Sequence, residues 1–61
     1  MRIFLDNRPH TLRGATVADL LRECDVNRET VLVEVNGSLV TSDRQLRDDD
    51  RVSFIPVFSG G

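Results

Sequence analysis

Helical periodicity occurs in one short stretch of this chain, and it limits what the rest can build. Val17, Leu20, Leu21 and Cys24 fall at i, i+3, i+4 and i+7, a single apolar stripe on a helix of about two turns around residues 17 to 24. Asp19, Arg22 and Glu23 take the other side. Thr16, followed three positions later by Asp19, makes a capping-box pattern with Asp in place of the more usual Glu or Gln. A single helix of this length covers one face of a small sheet and leaves the other face to water.

Strand signals flank the helix. Arg2 to Asp6 alternates, with Ile3 and Leu5 on one side and Phe4 on the other. Asn7-Arg8-Pro9 supplies a turn, and His10 to Arg13 returns with Leu12 as its main apolar contact, ending at Gly14. After the helix, Asn27 is placed to cap a short turn at Arg28 and Glu29. Val31-Leu32-Val33-Glu34-Val35 reads as a strand inside a sheet. Asn36-Gly37 closes a tight hairpin, because both residues tolerate positive φ, and Leu39-Val40 returns from it. Leu46 pins the polar crossover from Thr41 to Arg47, Asp48-Asp49-Asp50 forms a sharp acidic turn, and Arg51 to Val57 is the last strand. In that strand Val52 and Phe54 share a face, and Pro56 marks an end or an edge.

Hairpin, helix, strand, short strand and final strand, with the strands before and after the helix parallel through a crossover, describe an α+β, ubiquitin-like β-grasp. The expectation is a mixed sheet of four to five strands with one main helix. Residues 1–57 form the domain and 58–61 a flexible tail ending in Gly-Gly. The expected core is Leu5, Leu20, Leu21, Val33, Val35, Leu46 and Val52.

Size and composition exclude several functions. A domain of 61 residues buries only about 60% of the surface its unfolded chain exposes, so little interior remains for a substrate pocket. No nucleophile and base stand out that a pocket would unite. The chain is therefore expected to be a carrier acted on by partner enzymes, with no catalytic residues. A formal net charge of −2 gives no electrostatic footprint for nucleic acid, and the three phenylalanines are not interleaved with arginines. Cys24 is the only cysteine and lies on the apolar stripe, where a thiol packs as a small hydrophobe. One histidine, His10, is a poor start for a metal site, and the Asp48–Asp50 run reads as a solvated turn rather than a calcium loop. Neither a bound metal nor a bound cofactor is expected. Asp6 arrives too early for a secretory signal, and no apolar run approaches the ~20 residues that span a bilayer, so the expected location is cytoplasmic. All eight basic residues are arginine, which leaves the Met1 amine as the chain's only acceptor for acylation by another copy.

The C-terminal Gly60-Gly61 is a weak signal alone and gains force by following this pattern. A carboxylate has no leaving group at neutral pH. Transfer of AMP from ATP makes it a mixed anhydride open to a sulfur nucleophile, and two residues without side chains let the backbone thread a narrow channel with unrestricted φ and ψ.

Four segments, in this order, span the chain: Thr16-Val17-Ala18-Asp19-Leu20-Leu21, Val33-Glu34-Val35-Asn36-Gly37, Leu46-Arg47-Asp48-Asp49-Asp50-Arg51-Val52, and Phe54-Ile55-Pro56-Val57-Phe58-Ser59-Gly60-Gly61. Together they resemble the ThiS/MoaD family, the ubiquitin-like sulfur carriers of thiamine and molybdenum-cofactor (molybdopterin) biosynthesis, with relatives in tRNA thiolation and protein modification. Asp49 departs from the family pattern by standing where glycine is usual. The Pro-Val-Phe-Ser-Gly-Gly ending is closer to the molybdopterin carrier, although the chain is short for one, so the pathway stays open.

The resemblance implies that a ubiquitin-activating-type adenylyltransferase, using ATP and magnesium, adenylates Gly61. A sulfur donor such as a cysteine desulfurase or rhodanese-type protein then yields the thiocarboxylate, which serves a downstream synthase or tRNA thiolase. It implies that Ser59 and Gly60 enter the enzyme's channel and that Phe54, Pro56, Val57 and Phe58 meet its surface. Two other fates fit the residues: a protein modifier joined through Gly61 to target lysines, and a ubiquitin-like binding module that is never activated. No direct nucleic-acid or membrane partner is implied.

Overall fold

The computed structural model describes residues 1–57. Five strands and one helix follow one another as β1 (Arg2–Leu5), β2 (Arg8–Thr11), α1 (Val17–Glu23), β3 (Val31–Val35), β4 (Ser38–Val40) and β5 (Arg51–Pro56). The sheet order is β2-β1-β5-β3-β4. β1 and β5 run parallel, and the other neighbours are antiparallel. The last strand of the chain thus occupies the centre of the sheet, and α1 covers one face, as the β-grasp reading expects.

The helix is held at both ends. Thr16 and Asp19 form the expected capping box, the Asp19 backbone N–H donating to Thr16 Oγ1 and the Thr16 N–H donating to Asp19 Oδ2. The N–H groups of Val17 and Ala18 donate to the carbonyls of Arg44 and Ser42 at 3.0 and 2.9 Å. The polar crossover thereby satisfies donors that every helix start leaves open. At the other end Asp25 adopts φ 56°, its N–H donates to the Arg22 carbonyl and the Val26 N–H donates to that of Leu21. This is a Schellman closure, and Val26 packs on the core as such a closure prefers. A seven-residue helix is too short to persist alone, so these clamps and its buried stripe sustain it.

The core unites Ile3, Leu12, Val17, Leu20, Leu21, Val33, Val35, Leu46 and Val52. Leu5 differs from expectation: it is half-buried and packs against the core, while Ile3 is fully enclosed. Leu5 ends β1 opposite Arg8, next to the hairpin turn.

The first hairpin also departs from the sequence reading. Its turn is Asp6-Asn7, with φ 50° and 68°, the two positive values that a tight two-residue hairpin requires. Arg8 and Pro9 belong to β2, and Pro9 stands opposite Phe4. Because β2 is an edge strand, proline is tolerated there. The second tight turn, Asn36 (φ 52°) and Gly37 (φ 87°), falls where expected.

Gly14 is required by close approach: a Cβ built there would lie 2.3 Å from Asp19 Cβ. Its N–H and that of Arg13 donate to the Glu23 carboxylate at 2.8 and 2.9 Å. The loop before α1 is therefore drawn tightly over the helix it precedes.

Candidate functional site at the end of the last strand

β5 carries the chain through the middle of the sheet toward its C terminus. Val33 faces Phe54 and Val31 faces Pro56 across the β3–β5 ladder, so Phe54 and Pro56 point to the helix side. Phe54 is half-buried against the core and Pro56 is exposed. Proline ends the strand because it has no N–H to continue the ladder. One residue on, the Val57 N–H donates to the Thr30 carbonyl at 2.9 Å, tying the strand's end to the loop ahead of β3. Phe58, Ser59, Gly60 and Gly61 lie outside the described residues.

The helix-free face beside this exit carries exposed apolar side chains. Ile55 (36% exposed) stands directly opposite Leu32 (48%), Leu39 (61%) lies on the neighbouring strand β4, and Val57 (46%) follows two residues after Ile55. Of these only Val57 was singled out from the sequence. Leu32 was readable in principle: with Val31, Val33 and Val35 committed inward, alternation along a strand turns Leu32 outward.

The other candidate chemistry is engaged elsewhere. Burial, reinforced by neighbouring Glu23, pushes the half-buried Cys24 thiol above its ordinary value, which disfavours the thiolate a nucleophile requires. The backbone N–H groups of Ala15 and Thr16 hold the Asp19 carboxyl below its usual range, and those of Arg13 and Gly14 do the same for Glu23. Asp48 accepts from the Arg2 N–H, and Asp50 accepts from the Arg47 N–H and the Asn36 amide. These carboxylates staple loops. Asp49 takes φ 69°, the left-handed conformation expected where glycine is usual. Among the described residues no group of three His, Cys, Asp or Glu side chains is arranged to hold a metal ion, and no helix is long and apolar enough to cross a membrane. A groove of about 350 Å³ opens between α1 and β3–β4, with Val17, Leu21, Val31, Val33 and Val40 among its lining and Arg28, Glu29, Thr41 and Ser42 as its polar groups.

A mixed five-stranded sheet on one helix, whose central last strand leads toward a Gly-Gly ending, defines a ubiquitin-like carrier of the β-grasp class. The family model described as ThiS matches residues 2–61, and the chain belongs to the ThiS family of sulfur carriers. The sulfur carrier protein ThiS of Thermus thermophilus is 33% identical over 63 residues, covering 97% of this chain and 98% of that protein. A crystal structure of the thiamine biosynthesis protein ThiS from Geobacter metallireducens matches with a TM-score of 0.80 and 32% identity over 100% of both chains.

Proposed function

We propose that this chain carries sulfur for thiamine biosynthesis as a thiocarboxylate on Gly61, formed after a ubiquitin-activating-type enzyme adenylates that carboxylate with ATP and magnesium. The observation that carries this reading is the family match, which runs through the Gly-Gly ending. Cys24 is a poor place to load sulfur, being half-buried with its thiol pushed up. The pathway is suggested by the two relatives, both ThiS proteins, one of them described as a thiamine biosynthesis protein.

In this reading β5 is a rigid stalk. Its end is fixed at Thr30 through the Val57 N–H, and the reacting carboxylate belongs to the fourth residue beyond that anchor. The exposed side chains of Pro56 and Val57, followed by Phe58, meet the activating enzyme, Phe54 supports them from the core edge, and Ser59 and Gly60 occupy the channel. The outer sulfur of a persulfide donor then attacks the acyl carbon and AMP leaves, giving an acyl disulfide; a second thiol attacks the donor's sulfur, breaks the S–S bond and releases the thiocarboxylate, leaving a disulfide behind.

The test deletes Gly61 or appends one alanine after it. Either change moves the reacting oxygen by about 3.3 to 3.6 Å, and a misplacement of that size removes a near-attack geometry. ATP–pyrophosphate exchange with the cognate activating enzyme should disappear, while the melting temperature stays unchanged. On the native chain, the mass of one oxygen exchanged for sulfur should map to the last residue. Adenylation of the extended chain without trimming would overturn the proposal.

A further inference from the structure

All eight cationic side chains are arginine, and every one of them is exposed. The chemistry that ordinarily requires arginine is its planar fork, in bidentate pairing or stacking. Here the ion pair among the described residues is a single Arg22 Nη1–Asp19 Oδ1 contact at 3.6 Å. The guanidinium hydrogen bond is that of Arg44 Nε to the adjacent Gln45 carbonyl at 3.2 Å. An ammonium could serve in either place, so these contacts give no reason for guanidinium. The property that still separates the two is nucleophilicity: a lysine amine loses its proton near pH 10.4, whereas a guanidinium keeps its own past pH 12.

Position decides which amine would matter. The Met1 amine donates to the Leu12 carbonyl at 2.9 Å, and the Leu12 N–H donates back to the Met1 carbonyl at 2.8 Å. Phe4 is level with Arg51 on the parallel β1–β5 pair. Met1 stands three residues before that level and Val57 six after it, a span of roughly 30 Å at about 3.3 Å per residue. The four residues beyond Val57 reach about 14 Å at most, so a chain's own terminus does not arrive at its own Met1. Arg28 is the opposite case. It lies two residues before Thr30, whose carbonyl accepts the Val57 N–H, and consecutive Cα atoms are only about 3.8 Å apart.

We propose that the arginine-only surface, and Arg28 at the tail exit above all, protects the activated C terminus from capture by the chain's own amines. The inference rests on the activation of Gly61 proposed above. A lysine nitrogen at position 28 would attack the carbonyl carbon of the acyl adenylate and form an amide C–N bond. The bond from that carbon to the phosphate oxygen would break, AMP would leave with its electron pair, and the surplus amine proton would pass to solvent. The product is a lactam, lighter than the free chain by one water, with no carboxylate left to receive sulfur. Closure within one molecule is favoured by a high effective concentration. Arginine keeps the positive charge beside the exit without offering this reaction.

The decisive probe is the chain's C-terminal thioester released from an intein fusion, an acyl donor that needs no activating enzyme. The wild-type chain, Arg28→Lys and Arg47→Lys are held at pH 9, where roughly 4% of lysine amines are unprotonated, and followed by intact mass and peptide mapping. Arg47 lies at the opposite end of the sheet, its N–H bonded to Asp50 ahead of β5. Arg28→Lys should form a 28–61 lactam about tenfold or more faster than it hydrolyses. The wild type should only hydrolyse, and Arg47→Lys should form no lactam. Melting curves establish that both variants are folded. Hydrolysis alone in Arg28→Lys, or acylation of Met1 in the wild type at a comparable rate, would overturn the proposal and reduce the arginine bias to composition. A parallel reaction with ATP, magnesium and the activating enzyme reads AMP release. Its absence from the wild type defeats the activation reading while the thioester result still decides the chemistry at position 28.

Discussion

Leu20→Ala tests the packing that supports the tail-bearing strand. Leu20 is fully enclosed, at 0% exposure, in the cluster that includes Ile3 from β1 and Val52 from β5. Removing three carbons costs about 2.4 kcal/mol in transfer at roughly 0.8 kcal/mol per methylene. A cavity penalty is added where the surroundings cannot settle, which brings measured Leu→Ala losses to about 2.7–5.0 kcal/mol. Here α1 is fixed by the crossover carbonyls at one end and the Schellman closure at the other, so it cannot sink freely into the gap. A loss of about 3–4 kcal/mol follows. At about 0.05–0.15 kcal/mol per residue, a 61-residue domain holds only roughly 3–9 kcal/mol in total. The variant should therefore melt roughly 12–30 °C lower and show a reduced urea midpoint at an unchanged slope by far-UV circular dichroism. Leu39→Ala, at a site 61% exposed, is the control and should stay within about 0.5 kcal/mol of wild type. If Leu20→Ala falls no further than Leu39→Ala, the placement of the helix on the sheet is wrong.

Gly14→Ala should destabilise by about 1–3 kcal/mol through overpacking against Asp19, measured as a lower urea midpoint. Asp25→Gly should stabilise by about 0.5–1 kcal/mol, since a left-handed cap costs a side-chain-bearing residue more than glycine's extra unfolded-state freedom; a drop in melting temperature would contradict the Schellman assignment. Asp19 and Glu23 have folded pKa values below their ordinary ones. Their contribution is therefore complete above the ordinary carboxylate range and is lost as the pH falls through the folded values. Combining Asp19→Asn with Glu23→Gln should flatten the acid limb of the stability profile, and an unaltered limb would assign it to other groups. Val57→Asp, at a 46% exposed position, should leave folding intact yet weaken the activating-enzyme complex in a titration, as expected where an apolar contact becomes a desolvated charge.

Features set by neighbours a few residues apart were legible in the sequence. The Thr16–Asp19 box, the Val17–Leu20–Leu21 stripe, the Asn36-Gly37 turn and the left-handed Asp49 depend on local sterics and on hydrogen bonds spanning at most four residues. The expectation that Gly60-Gly61 carries the chemistry also comes from the sequence, and those residues lie outside the described ones. Tertiary structure decided what depends on distant partners. Pro9 is admissible in β2 only because that strand lies at the edge of the sheet. Ile3 is enclosed while Leu5 is half-buried, because the end of β1 lies beside the hairpin turn. The Asp48 carboxylate binds a backbone N–H 46 residues away, a pairing no local pattern encodes. Leu32 and Ile55 become neighbours on the open face only through the register of β3 with β5. The same register, with the parallel pairing of β1 and β5, sets Arg28 near the tail's exit and Met1 far from it. Sequence patterns report conformations that each residue prefers locally, and strand order and register emerge only when one buried core must satisfy every strand at once.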